Sequence, residues 1–160
     1  MLIAVVSDSH GDNNAIKKAL GKIKRADYLF HLGDNVKDVD EFSKAFKGKI
    51  INVKGNCDFL DRDLTKKLNE KLVEVEGVRV FATHGHKYSV KENLLRLRYK
   101  AMEVDADIVL FGHTHMPCIE YEDGIWFINP GSIALSRVKH NTLALIELLE
   151  GRIIPYIIEI

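Results

Sequence analysis

Hydrophobic residues along this chain fall in short runs, and nearly every run is closed by a polar tip. Leu2–Val6 is an unbroken apolar stretch, the pattern of a strand buried on both faces. Ala15, Ile16, Ala19, Leu20 and Ile23 then recur at helical spacing over residues 13–24, with Asp12 or Asn13 as the N-cap. Residues 28–32 predict a second strand, 39–46 a short helix and 49–53 a third strand. This β-α-β-α-β order implies a parallel sheet with right-handed crossovers.

Further along, residues 71–83 predict two strands about Gly77. Leu94, Leu95, Leu97 and Met102 give residues 91–104 a helical pattern, and 107–111 read as another strand. Residues 118–132 and 142–160 alternate about Asp123-Gly124 and Glu150-Gly151, as hairpins do. The chain carries no linker, repeat or low-complexity tract. The expectation is one α/β domain over residues 1–160, with too many strands for a single small sheet and therefore two packed together.

The tips share a chemistry. Leu2–Val6 runs into Ser7-Asp8-Ser9-His10-Gly11, and the second strand into Gly33-Asp34-Asn35. The third runs into Gly55-Asn56-Cys57-Asp58, the next into His84-Gly85-His86, and residues 107–111 into Gly112-His113-Thr114-His115. In open α/β sheets, ligands collect at the carboxyl ends of the strands. Each tip alone has a plain reading. Asp and His after a strand cap helices, Gly-Asp and Gly-Asn make turns, and two histidines two apart can be a surface pair. Together, Asp8, His10, Asp34, Asn56, His84, His113 and His115 form a set of nitrogen and oxygen donors without thiolate. Such a set suits first-row divalent metals. Seven protein ligands overfill one ion that keeps an open position but suit two ions sharing one ligand, for which Asp34 is the choice.

Composition removes several alternatives. The 160 residues are 46% hydrophobic and 29% charged, ordinary for a globular domain. Lys plus Arg equals Asp plus Glu at 23 each, so no overall charge favours nucleic acid or membrane. No apolar run reaches the roughly 18–20 residues of a membrane span. The first ten residues lack the basic segment of a signal peptide, and the two cysteines, Cys57 and Cys118, are too isolated for a disulfide framework. A cytoplasmic setting is expected.

D-x-H, G-D, G-N-x-D, H-G-H and G-H-T-H, in this order from Asp8 to His115, resemble the calcineurin-like metallophosphoesterase superfamily. Gly55-Asn56-Cys57-Asp58 and the later Asn129-Pro130-Gly131-Ser132 are similar to its small bacterial and archaeal phosphodiesterase branch. The resemblance implies a four-layer α/β/β/α sandwich of two mixed β-sheets flanked by helices, with a dinuclear centre. It implies that Asp8, His10 and His115 hold one ion, that Asn56, His84 and His113 hold the other, and that Asp34 bridges. The cofactors expected are two divalent transition-metal ions, Mn²⁺ first, with Ni²⁺, Fe²⁺, Co²⁺ or Zn²⁺ as alternatives.

One position departs from the pattern. In many members a histidine follows the ligand asparagine, and here Cys57 stands there. Cys57 reads either as a small buried apolar residue or as a group at the chemistry. Asp58 would orient that histidine or serve the structure alone. His86 supports a ligand, contacts substrate or is solvated. His31, inside an apolar run, reads as a hydrogen-bonded core histidine.

Two metals about 3.5–4 Å apart lower the pKa of a shared water towards 7 and stabilise pentacoordinate charge. The expected reaction is hydrolysis of a P–O bond by in-line attack of a metal-bridging hydroxide. Two divalent ions, two aspartates and one hydroxide leave a net positive site, which favours a phosphate over a peptide. No arginine falls in the motif runs, which favours a small phosphodiester over a monoester. A non-catalytic interaction scaffold on the same fold is the alternative. A nuclease is the third reading, disfavoured without a basic groove. Lys22, Lys24, Arg25, Arg96 and Arg98 read as solvated helix faces. No membrane partner is expected, and self-association into a homo-oligomer stays open.

Overall fold

In the computed structural model, residues 1–58 and 68–160 are described. Strand β1 (Leu2–Val6) leads to helix α1 (Asn13–Lys22), β2 (Tyr28–His31), α2 (Asp38–Ala45) and β3 (Lys49–Asn52). The antiparallel pair β4 (Glu70–Val75) and β5 (Val78–Thr83) follows, then α3 (Leu95–Glu103) and β6 (Ile108–Leu110). Two hairpins complete the chain: β7 (Pro117–Glu122) with β8 (Ile125–Pro130), and β9 (Thr142–Leu149) with β10 (Arg152–Glu159).

The strands form two five-stranded mixed sheets, ordered β10-β9-β1-β2-β3 and β4-β5-β6-β8-β7. As predicted, β1, β2 and β3 are parallel. In the second sheet β5, β6 and β8 are parallel, so two sets of three carboxyl ends are available for a site.

Period-2 alternation assigns each sheet two apolar faces. Ile3 and Val5 of β1 point inward, joining Phe30, Val80, Ile108 and Ile146 in the core between the sheets. Ala4 and Val6 point outward, onto Ile16, Ala19 and Ile23 of α1 and Phe42 of α2. The second sheet covers its outer face with Leu97 and Ala101 of α3, packed on Phe81, Val109 and Phe127. Burying side chains of this size contributes about 1.5–3 kcal/mol each. The layers are α/β/β/α.

Local chemistry sets the ends. Asp12 is the N-cap of α1, its Oδ1 accepting from the N–H groups of Asn14 at 2.9 Å and Ala15 at 3.0 Å. Helix α3 starts later than the apolar pattern over 91–104 predicts. Ser89 is left-handed, with φ 53°, and the Asn93 side chain accepts from Leu95 N–H at 3.0 Å, so the helical turns begin there. The Asp123-Gly124 and Glu150-Gly151 turns have positive φ at both residues, as two-residue hairpins require.

Candidate metal centre

Five strand ends face one region. The tip of β1 supplies Asp8 and His10, β2 supplies Asp34, and β3 leads into a single 3-10 turn, Asn56–Asp58. From the other sheet come His84 and His86 after β5, and His113 and His115 after β6. Ligand atoms of Asp8, His10, Asp34 and His115 all lie within 4.8 Å of one another. His84 adjoins this group from the second sheet, with Nε2 3.5 Å from Asp34 Oδ1 and 3.2 Å from His113 Nδ1. Asp34 thus faces both the Asp8 group and the His84–His113 pair. Asn56 is exposed, and its amide Nδ2 lies 3.4 Å from Cys57 Sγ.

The second nitrogen of two imidazoles is already committed. His84 Nδ1 is 2.8 Å from the Leu32 carbonyl and His115 Nδ1 2.8 Å from the Leu135 carbonyl. A carbonyl only accepts, so both Nδ1 atoms carry the proton and Nε2 turns a lone pair to the centre when the ring is neutral. His115 Nε2 approaches Asp8 Oδ1 to 3.0 Å, yet Asp8 Oδ1 and His10 Nε2 are buried atoms without a hydrogen-bond partner among the described residues. Converging buried acceptors call for a cation, and this N/O donor set fits a divalent one.

Electrostatics follow from that crowding. Burial pushes the Asp8 carboxyl up, but His115 beside it and the nearby His84 outweigh burial and hold it below the usual range. His115 is raised chiefly by Asp8. His113 is lowered to about 4, first by burial and then by His84 and Lys91, so it is neutral at pH 7. His86 is lowered by burial and by His84, and its Nδ1 is a further buried atom without a partner among the described residues. The His86 ring stands 5.4 Å from His84 and 6.2 Å from His113.

The carboxylates are held by main-chain donors. Cys57 N–H donates to Asp34 Oδ1 at 2.9 Å and His113 N–H to Asp8 Oδ2 at 3.2 Å. Asp58 accepts from the N–H groups of Asp34, Asn35, Val36 and Gly55 at 2.7–3.0 Å. It therefore clamps the β2 tip to the β3 tip. Cys57 is exposed, which overturns its reading as a small buried residue, because its turn projects from the clamp. Desolvation, then the hydrogen bond to Asp34, pushes its thiol up to about 11, so it adds no negative charge at pH 7. His31 is fully buried between Ser9 Oγ at 3.0 Å and Gly33 N–H at 3.3 Å, a core histidine as expected.

The Asn129-Pro130-Gly131-Ser132 segment, which carries part of the resemblance, braces the site through its side chains. Asn129 Nδ2 donates to the Gly112 carbonyl and to Thr114 Oγ1, each at 3.0 Å. Ser132 Oγ donates to the Asp8 carbonyl at 2.7 Å and accepts from Leu135 N–H at 2.8 Å. Asp38 is a residue that no motif marked. Its carboxylate accepts from Gly11 N–H at 2.9 Å and Asn35 Nδ2 at 3.0 Å, linking the β1 and β2 tips.

Residues 1–151 match the calcineurin-like phosphoesterase superfamily domain. The chain belongs to this superfamily. A probable metallophosphoesterase of Bacillus subtilis, YsnB, is 34% identical over 152 residues, 94% of this chain and 86% of its own. The phosphodiesterase MJ0936 of Methanocaldococcus jannaschii is 30% identical over 82% of this chain and 83% of its own. A predicted phosphoesterase from Streptococcus pneumoniae superimposes with a TM-score of 0.83 at 30% identity, covering 99% of this chain and 88% of that one. As a metallophosphoesterase, the chain has the two-sheet fold of its family and a candidate metal cluster at the expected strand ends. Among the described residues, no helix is long and apolar enough to cross a membrane.

Proposed function

We propose that residues 1–160 act as one metal-dependent phosphodiesterase domain. Asp8, His10 and His115 would hold one divalent ion, Asn56, His84 and His113 a second, and Asp34 both. The observation that carries this reading is the approach of Asp8, His10, Asp34 and His115 ligand atoms within 4.8 Å, with His84 3.5 Å from the same Asp34 oxygen. When bound, two such ions supply a hydroxide nucleophile from water near neutral pH and charge to stabilise the phosphoryl oxygens.

The chain's own residues prepare that chemistry. The Leu32 and Leu135 carbonyls fix the tautomers of His84 and His115 and aim each Nε2 inward. Main-chain N–H groups of Cys57 and His113 orient the two aspartates. The Cys57 thiol, neutral at pH 7, stands beside Asp34 where many relatives would place a histidine. The leaving alkoxide therefore has the half-buried His86 or solvent as its proton source. That favours esters with acidic leaving groups, and so an activated aryl diester is the probe of choice.

The test starts from chelator-treated protein, with Mn²⁺, Ni²⁺, Mg²⁺ or no metal added back and bis-p-nitrophenyl phosphate as substrate. Turnover is expected only with metal, and Asp34→Asn should lower it by at least about a hundredfold, since it weakens the one ligand common to both ions. Stoichiometric metal binding without turnover would overturn the enzyme reading and leave an interaction scaffold.

A further inference from the structure

A groove of about 490 Å³ opens beside the loop that carries His113 and His115. This is within the range of about 300–1,000 Å³ typical of small-molecule sites. Val90, Leu94, Phe111, Met116 and Pro117 give it apolar walls. Thr114, the residue between the two candidate ligands, lines it as well. On one side, Arg137 N–H donates to the His115 carbonyl at 3.1 Å. On the other, Val90 abuts Gly85, where an added Cβ would meet Val90 Cγ2 at 2.8 Å, and Gly85 lies between His84 and His86. The groove begins where the ligand loops end.

Its charge is unbalanced. Lys91 and Arg137 line it, both exposed, and neither has an ion-pair partner within 4.0 Å among the described residues. The carboxylate of Glu120 also lines it, but Glu120 is already 3.4 Å from Arg98 and accepts from Cys118 Sγ at 3.3 Å. Two cations without an ion-pair partner among the described residues, set over an apolar wall, match a ligand that is apolar but carries negative charge. A larger recess of about 580 Å³, lined by residues of α1 and by Ala45, Phe46 and Lys47, includes no candidate ligand and offers no such match to the centre.

We propose that this groove is the subsite for one ester arm of the substrate, and that the arm is a planar apolar group bearing a second anionic substituent, as in a phosphorylated nucleoside. The proposal rests on the phosphodiesterase reading and deepens it. Inorganic phosphate at the metal centre would leave the walls and both cations unmatched. An ester arm of the substrate is what the groove adjoining His113 and His115 receives. The reacting phosphate lies at the ligand tips while the second anion lies between Lys91 and Arg137.

Binding tests this without depending on turnover. The full chain, kept with a chelator, is titrated calorimetrically with thymidine 3′,5′-bisphosphate and with thymidine 5′-monophosphate. The bisphosphate should bind about tenfold more tightly. That advantage should vanish in the Lys91→Met/Arg137→Met double variant and return in Lys91→Arg/Arg137→Lys. Both positions are exposed, so the folded state should survive the changes, which a thermal melt checks. Equal affinity for the two probes, or an advantage unchanged in the double variant, overturns the subsite. Failure of bis-p-nitrophenyl phosphate turnover overturns the phosphodiesterase reading instead, and the titrations still decide whether the groove binds a phosphorylated nucleoside.

Discussion

Five of the seven candidate ligands have left-handed backbone: Asp8, His10, Asp34, His113 and His115, with φ between 47° and 69°. Asp and His tolerate this region better than most residues, though each such turn costs about 1–3 kcal/mol that the surroundings must offset. The turn lets a strand that ends in extended geometry throw its side chain back toward a common point. Of the glycines beside them, Gly11, Gly33 and Gly85 take the left-handed region as well. Gly55 and Gly112 serve close approach instead. A Cβ on Gly55 would lie 2.1 Å from Asp34 Oδ1 and 2.6 Å from Asp34 N, so neither side chain nor backbone of Asp34 could stay. Gly55→Ala should therefore destabilise the fold by about 1–3 kcal/mol. It should also weaken Mn²⁺ binding by at least about tenfold. Urea unfolding and calorimetric titration would check this, and a stable variant with unaltered metal affinity would contradict the steric argument.

Elements carry the next level of specification. Strand β2 combines a core face, Phe30, with His31, which is buried and hydrogen-bonded to the β1 tip through Ser9. Because Gly33 N–H donates to Nδ1, Nε2 holds the proton and donates to Ser9 Oγ. The ring is neutral, and burial lowers its pKa to about 4 against an ordinary value near 6.5. Between those values the unfolded chain binds more protons than the folded one, so stability falls as pH drops from about 6.5 towards 4. Between pH 7 and 5 the loss from this group should approach about 2 kcal/mol. His31→Gln should flatten that slope in urea unfolding at the two pH values. An unchanged slope would assign the acid sensitivity elsewhere. The sequence revealed every one of these elements within a few residues because periodicity and turn residues are local signals. The late start of α3 was hidden because it depends on a left-handed Ser89 and a side-chain cap from Asn93, which apolar spacing does not record.

At the scale of the whole molecule, strand order escaped the sequence. Periodicity tells which face of a strand is buried, but β9 pairs with β1 across more than a hundred residues, and β8 inserts between β6 and β7. The candidate ligands stand out in the sequence because each tip concentrates rare chemistry in two or three positions. How those tips are braced does not, because Ser132 reaches Asp8 and Asp38 reaches Gly11 across long separations in sequence. Ser132 makes the point testable. It follows β8 in one sheet, and its hydroxyl donates to the carbonyl of Asp8 at the tip of β1 in the other. The same oxygen accepts from Leu135 N–H, and the Leu135 carbonyl holds His115 Nδ1. One hydroxyl thus spans both sheets and braces two candidate ligands. Ser132→Ala leaves the buried Asp8 carbonyl and the Leu135 N–H without that partner, at a cost of about 1–3 kcal/mol. A purely structural role would show in unfolding alone. A positioning role requires, in addition, that Mn²⁺ affinity at a temperature where the variant is fully folded fall by about 10–100-fold, the effect of losing support behind metal ligands. Calorimetric titration beside urea unfolding separates the two, and lowered stability with wild-type Mn²⁺ affinity would refute the brace between the sheets.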